Sequence, residues 1–448
     1  MPVTMLLLTP ATRKRFSNRM KAMLMNSLWL MLERVSLSLS GIFVSVYVAR
    51  YLGPAQYGLI NYLLSVIAIA VPLVQLGADA VLFNRVARHR HSGIRLMLAS
   101  MRLRRQLFAL IAIPLMAWAL LTQDRTSQIM MALMLFSAYF SVQDVYKIYY
   151  DALLKSKLNT LINNLALLLS IVVRLALVHA KLPLEWFAVP YVLSSLIPYA
   201  VRWLLFRREQ VGMRPIARRH QRRYGRYLLK VGLPLAVSGL SIVIYTRIDQ
   251  IMIGNYLGEH SVGLYSAAIT LSQGWIFVPI ALITSMMPGV ANARTLLEQE
   301  GRIRLLYLVV LLLSMPVILL LSLFPGPIVA LMFGDSYRET ATILALCSVT
   351  SLFSVMGTVS YRAIVLFGGY RFIAIKMPLA ALANVLMNLV LIPRYGIAGA
   401  AVATLITEFI SFFVLNGFFR RGQITRLQVT CYRCLPQLIG KVRELYAK

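Results

Sequence analysis

About twelve apolar runs, each near the 20 residues that an α-helix needs to cross ~30 Å of hydrocarbon, follow one another from residue 28 to residue 419. They fall near 28–50, 58–80, 106–122, 129–147, 158–179, 186–206, 229–254, 262–286, 304–324, 339–366, 372–392 and 396–419. Only helices or closed barrels satisfy every backbone polar group in such a medium, and runs of this length select helices. Composition agrees, with 59% hydrophobic and 14% charged residues, where soluble domains carry about a quarter charged. The expected fold is all-α: a polytopic membrane protein of about twelve transmembrane helices.

A formal net charge of +31 would suggest nucleic acid in a soluble chain, but its distribution excludes that reading. Lys and Arg concentrate in the N-terminal segment, the C-terminal tail and every second loop, most densely in "RVARHRHSGIRLMLASMRLRR" (85–105) and "RREQVGMRPIARRHQRRYGRYLLK" (207–230). The alternate loops hold only Arg125, Lys181, Arg338 and Arg394. This alternation is the positive-inside bias and places both termini in the cytoplasm. The basic N-terminus precedes a run of spanning length with no small-residue cleavage site, so an uncleaved first helix is expected. Cys431 and Cys434 form a lone C-x-x-C without a second ligand pair, which does not make a zinc site.

One stretch is written twice. Residues 51–59 read "YLGPAQYGL" and residues 256–264 read "YLGEHSVGL": Tyr51, Leu52, Gly53, Gly58 and Leu59 recur at a constant offset of 205 as Tyr256, Leu257, Gly258, Gly263 and Leu264. Each copy falls between the first and second helices of a six-helix set, on a short charge-poor outer loop. "RLALV" (174–178) and "NLVLI" (388–392) form a weaker second echo. An even number of spans per set gives a parallel repeat, two pseudo-symmetric lobes about an axis along the membrane normal. The glycines are read as turn residues, since glycine reaches backbone conformations closed to other residues. The expected organisation is a basic cytoplasmic segment (1–27), a first lobe (28–206), a basic inter-lobe loop (207–228), a second lobe (229–419) and a basic cytoplasmic tail (420–448).

The stretches "YVARYLGPAQYGLINYLLSVIAIAVPLVQLGADAVLFNRVAR" (47–88), "TRIDQIMIGNYLGEHSVGLYSAAITLSQGWIFVPIALITSMMPGVANA" (246–293) and "LIPRYGIAGAAVATLITEF" (391–409) resemble the polysaccharide-exporter branch of the multidrug/oligosaccharidyl-lipid/polysaccharide (MOP, MATE-like) superfamily. Its Wzx-type members are flippases for lipid-linked O-antigen units. The resemblance covers essentially the whole chain and implies two six-helix lobes, a central cavity, alternating access and a bacterial inner-membrane location. It also implies a polyprenyl-diphosphate-linked oligosaccharide as cargo, membrane lipids as surroundings and other polysaccharide-assembly membrane proteins as partners.

A charge at bilayer depth is costly and therefore a functional hypothesis. Arg34, Arg174, Arg247 and Arg362 are the expected cationic lining of the cavity, because a guanidinium binds phosphate oxygens through two parallel donors and stays charged. Glu408, Asp249 and Asp79 are the coupling candidates, since a carboxyl group in an apolar site can take up and release a proton. Glu33 beside Arg34, and Lys147 near Asp144 and Asp151, are near enough to one membrane face to pair or snorkel.

Catalytic signatures are absent. The sequence holds no G-x-x-x-x-G-K-[ST] loop and no H-E-x-x-H, which leaves no motif for nucleotide hydrolysis or zinc chemistry, and no cofactor or metal is expected. Three functions remain: a flippase for lipid-linked oligosaccharide, a cation-coupled drug or metabolite antiporter of the same superfamily, and a polytopic polysaccharide polymerase or ligase. The several arginines at depth favour an anionic cargo, and the short outer loops argue against the enzyme.

Overall fold

The computed structural model describes the backbone of residues 10–209 and 218–436, and side chains within 41–209 and 224–436 except 234, 235 and 238. Among the described residues there is no strand. The main helices are α1 (Pro10–Gln75), α2 (Ala78–Arg88), α3 (Arg90–Thr122), α4 (Arg125–Gln143), α5 (Tyr146–Ala152), α6 (Ser156–His179) and α7 (Val189–Glu209). They continue with α8 (Arg218–Gln273), α9 (Phe277–Ala291), α10 (Leu296–Leu323), α11 (Pro325–Phe333), α12 (Ala341–Leu366), α13 (Tyr370–Phe409) and α14 (Gln423–Val429).

Eight described segments are long and apolar enough to cross a membrane, or nine when the bent pair Gly239–Gln273 and Phe277–Ala291 counts as one. Three of the nine are divided by a glycine with non-helical backbone: Gly53 in α1, Gly258 in α8 and Gly396 in α13. Counting the legs on either side of each glycine separately gives the twelve helical stretches that the apolar runs lead one to expect.

The expected loops at the two echoed stretches are not loops. Gly53 has φ 76° and ψ 172°, Gly258 has φ 81° and ψ 175°, and helical structure resumes at once on both sides. This backbone region is essentially closed to residues with a Cβ, so one glycine replaces a whole connection. Gly58 and Gly263, expected as turn residues, are instead helical. They recur for a different reason: a Cβ on Gly58 would strike the carbonyl of Glu259, and one on Gly263 would strike the carbonyl of Pro54. The two copies thus pack against each other by one contact made twice, each copy presenting a bare backbone to the other. Exchange of the copies maps the contact onto itself, the form a two-fold interface takes.

By contact, the chain divides into two compact units, residues 1–40 with 70–236 and residues 41–69 with 237–448. In the first, α2 turns Ala78, Leu82 and Val86, spaced four apart as one helical face requires, onto Ile94 and Met97 of α3, Tyr146, Tyr149 and Tyr150 of α5, and Phe206 of α7. Two buried guanidiniums tie this unit together. Arg202, 1% exposed, pairs with Asp144 and Asn163 and donates from Nε to Asn159 Oδ1 at 2.8 Å. Arg104 pairs with Asp79 and donates to the carbonyl of Val142 at 2.8 Å. Five fixed donors per guanidinium let one side chain satisfy several chain segments at once.

In the second unit, Tyr307, Val310, Ile318, Val355, Met356, Val359 and Ile364 form an apolar seam between α10 and α12. A further cluster around Tyr57, Phe333 and Tyr337 packs against Leu264 and Ala267. Its polar tips are satisfied as burial demands: Tyr337 Oη donates to the carbonyl of Ala49 at 2.8 Å, and Thr340 Oγ1 to that of Leu264 at 3.1 Å.

Candidate functional site

The second unit buries a carboxylate at apolar depth. Asp249 is 4% exposed and accepts hydrogen bonds from Thr404 Oγ1 at 2.5 Å, Asn388 Nδ2 at 2.6 Å and Tyr265 Oη at 2.7 Å. Asn384 joins the cluster, accepting from Asn388 at 3.2 Å and donating to Thr404 at 3.4 Å. Three donors on one carboxyl group offset much of the cost of its removal from water.

The glycine breaks explain how these residues meet. Asp249 and Tyr265 are 16 residues apart, as are Asn388 and Thr404, which would place them ~24 Å apart on a straight helix. Gly258 lies between the first pair and Gly396 between the second. Each break folds one helix back on itself, and the cluster forms where the four legs adjoin.

The cluster extends by one helical turn. Tyr245 precedes Asp249 by four residues and Glu408 follows Thr404 by four, so each shares a helix face with its neighbour. The buried Tyr245 hydroxyl makes no hydrogen bond among the described residues, while Glu408 and Lys376 act on one another electrostatically. Lys376, 5% exposed, donates from Nζ to Asn416 Oδ1 at 2.8 Å. Asp249, Tyr245, Glu408, Lys376 and Asn416 thus form a series of polar groups, a polar thread, in otherwise apolar helix, with a direct hydrogen bond between its last two members. It contains two carboxyl groups and one amine that can exchange protons, and two carboxylates that can attract a cation. Asn388 Oδ1 is a buried acceptor with no partner among the described residues, beside the first of those carboxylates.

The structure brings together Asp249 and Glu408 of the expected coupling residues. Asp79 stands elsewhere, in the first turn of α2, ion-paired with Arg104 and half exposed; a carboxylate there also suits the helix dipole. Three of the four expected head-group arginines have described side chains. Arg247 is exposed and donates to Gln250 Oε1 at 3.4 Å. Arg362 donates to Thr284 Oγ1 at 2.9 Å. Arg174, in the first unit, stacks on the Tyr191 ring with 4.6 Å to its centroid, a contact that holds a cation in apolar surroundings. The side chain of Arg34 lies outside the described residues.

Sequence reasoning passes over Lys376, Asn384, Asn388, Thr404, Tyr245 and Tyr265. Lys376 was legible as a lone lysine in the apolar run 372–392. The two asparagines, four residues apart on one helix face, carry a weaker signal of the same kind. Thr404 and the tyrosines carry none, because hydroxyls are common in membrane helices with no partner beyond their own backbone.

A family model described as "Polysaccharide biosynthesis protein" matches residues 23–291, more than half of the chain. Among curated relatives, the chain is 21% identical over 188 residues to the "Putative O-antigen transporter" of Shigella flexneri; the match covers 42% of this chain and 45% of that protein. It thus spans less than half the relative's length. Among solved structures, the chain is similar to an inward-facing multidrug resistance MATE family transporter of the MOP superfamily. There the TM-score is 0.65 at 15% identity, over 89% of this chain and 99% of that one. It is also similar to the lipid II flippase MurJ in an inward closed conformation, with TM-score 0.66 at 13% identity over 93% of each chain. At such identities the two structures establish a shared MATE-like fold.

Proposed function

The chain belongs to the polysaccharide biosynthesis protein family, and from that premise we propose that it is a flippase for polyprenyl-diphosphate-linked oligosaccharide, an O-antigen or related surface repeat unit. It moves this cargo across the bacterial inner membrane by alternating access, with both termini cytoplasmic. The observation that carries the reading is the polar thread from Asp249 to Asn416: buried charge of this extent in apolar helices costs stability and is retained where an ion must be held and released. Glu408 and Asp249 serve as the coupling groups.

Head-group recognition falls to Arg174, Arg247 and Arg362, with Arg34 the fourth. Transfer of a diphosphate and its sugars through hydrocarbon is opposed chiefly by desolvation, and guanidiniums replace lost water with charge-assisted hydrogen bonds. The arginines need not converge, because a carrier that changes sides can use them in sequence. The two lobes 28–206 and 229–419 are the moving parts in this reading, and proteins that assemble the glycan are the partners that supply and remove it.

A cation-coupled antiporter for drugs or metabolites is the rival, favoured by the same buried carboxylate. Reconstituted vesicles separate the two. A flippase equilibrates a fluorescent polyprenyl-diphosphate oligosaccharide between leaflets, whereas an antiporter moves an organic cation and leaves the lipid in place.

A further inference from the structure

The first unit contains a cavity of about 520 Å³ lined by Val81, Asn84, Arg85, Arg88, Leu96, Tyr224 and Tyr227. Four of these residues belong to α2 and follow one another at i, i+3, i+4 and i+7, the spacing of a single helix face. A neighbouring face of α2, about 100° around the helix, holds Ala78, Leu82 and Val86 in the core. Asn84, Arg85 and Arg88 are exposed, so the cavity is open to its surroundings along this face. Tyr224 and Tyr227, three apart on α8, stand on the other side.

The state of the arginines sets the cavity apart from the rest of this basic end. Arg90 and Lys155 share Glu209, at 3.7 and 3.1 Å. Arg104 is held by Asp79 and Arg202 by Asp144. Arg85 and Arg88 have no carboxylate partner and make no side-chain hydrogen bond among the described residues. Among the described residues the lining thus offers two guanidiniums, two phenolic hydroxyls and one amide, with no acid. Such a donor set suits an anion with several oxygens, which a guanidinium binds bidentately. Val81 and Leu96 add an apolar wall that a free inorganic ion does not use. The volume lies within the few hundred to a thousand Å³ of small-ligand sites, and basic pockets between transmembrane helices suit the headgroups of anionic lipids.

The geometry points to a binding site for the phosphate-bearing headgroup of a membrane lipid, with Arg85 and Arg88 on the phosphate, Tyr224 and Tyr227 donating to its remaining oxygens, and the start of the hydrocarbon chain against Val81 and Leu96. The charge distribution of the sequence assigns this end to the cytoplasmic leaflet. The site does not depend on the proposed cargo: a leaflet phospholipid and a lipid diphosphate share the chemistry it recognises.

The test measures equilibrium binding by native mass spectrometry, using the full chain in a non-ionic detergent. The probes are phosphatidylglycerol, geranylgeranyl diphosphate and inorganic pyrophosphate, each presented separately. Arg85→Gln with Arg88→Gln should weaken at least one of the two lipids tenfold or more. Arg207→Gln with Arg208→Gln, which removes equal charge from the same end outside the cavity, should change binding by less than twofold. Loss of phosphatidylglycerol alone identifies a leaflet-lipid site, loss of the diphosphate alone a cargo-loading site, and loss of both a site for either. The paired Arg→Lys variants keep the charge and lose the planar fork, and should fall between wild type and the Gln pair. They carry the test if the Gln pair fails to fold. Three results would overturn the assignment: unchanged lipid binding in the Gln or Lys pair, equal loss in the Arg207 and Arg208 control, or inorganic pyrophosphate binding as tightly as either lipid.

Discussion

Gly58 sits on the carbonyl of Glu259 while Gly263 sits on the carbonyl of Pro54, and the 205 residues that separate Gly58 from Gly263 also separate Pro54 from Glu259. The duplicated sequence is therefore its own partner. Gly58→Ala and Gly263→Ala each force a methyl group into backbone and should cost about 1–3 kcal/mol, the usual scale of overpacking. Melting of the purified protein in detergent reads the loss. Gly357 is the control: it is helical with nothing within 4 Å of a built Cβ, so Gly357→Ala should leave the melting temperature unchanged or raise it.

Asp249 separates charge from scaffold. Asp249→Ala leaves the donors of Tyr265, Asn388 and Thr404 facing a void, at about 1–3 kcal/mol for each one left unsatisfied, and should reduce both folded yield and transport. Asp249→Asn keeps the side-chain shape and removes the charge. It should insert and melt close to wild type, yet fall at least tenfold in transport driven by an imposed ion gradient. A variant that is stable and transports normally would remove Asp249 from the coupling role.

If Asp249 and Glu408 act as one thread, their losses should not add, as is usual for groups that work together. Glu408→Gln should abolish the response of transport to a pH gradient, and the double variant with Asp249→Asn should be no slower than the worse single one. Fully multiplicative losses would show two independent sites. Lys376→Met removes the cation that acts on Glu408 and should alter the same response.

The arginines divide by role. Arg202→Met strands Asp144 in the core of the first unit and should destabilise it by about 3–5 kcal/mol, with transport per folded molecule little changed. Arg247→Lys keeps the charge and loses the fork; normal insertion with transport reduced several-fold is the expected result.

The twelve spans and the duplicated stretch could be read from the sequence, because apolar length and glycine spacing are local properties. What the repeated glycines do was only half legible: Gly53 and Gly258 break helices, but the close approach at Gly58 and Gly263 depends on which backbone lies opposite. The two acids of the polar thread, Asp249 and Glu408, stood out, since an acid contradicts the apolar run around it, whereas Lys376 was passed over. Thr404 and Tyr265 did not, because they become ligands of Asp249 only after Gly258 and Gly396 fold two helices back. Arg202 was hidden by its place near the end of the 186–206 run, where an arginine ordinarily snorkels to water; here it turns inward to Asp144.

The central claim is that this chain moves a lipid-linked oligosaccharide and uses the Asp249 thread to do so. Vesicles reconstituted with the full chain, loaded with a fluorescent polyprenyl-diphosphate oligosaccharide and probed with a membrane-impermeant quencher, test it directly. Wild-type vesicles should expose the inner-leaflet label at least tenfold faster than protein-free vesicles and respond to an imposed ion gradient, while Asp249→Asn vesicles should do neither. Wild-type vesicles that release the label no faster than protein-free ones, yet accumulate an organic cation, would contradict the account.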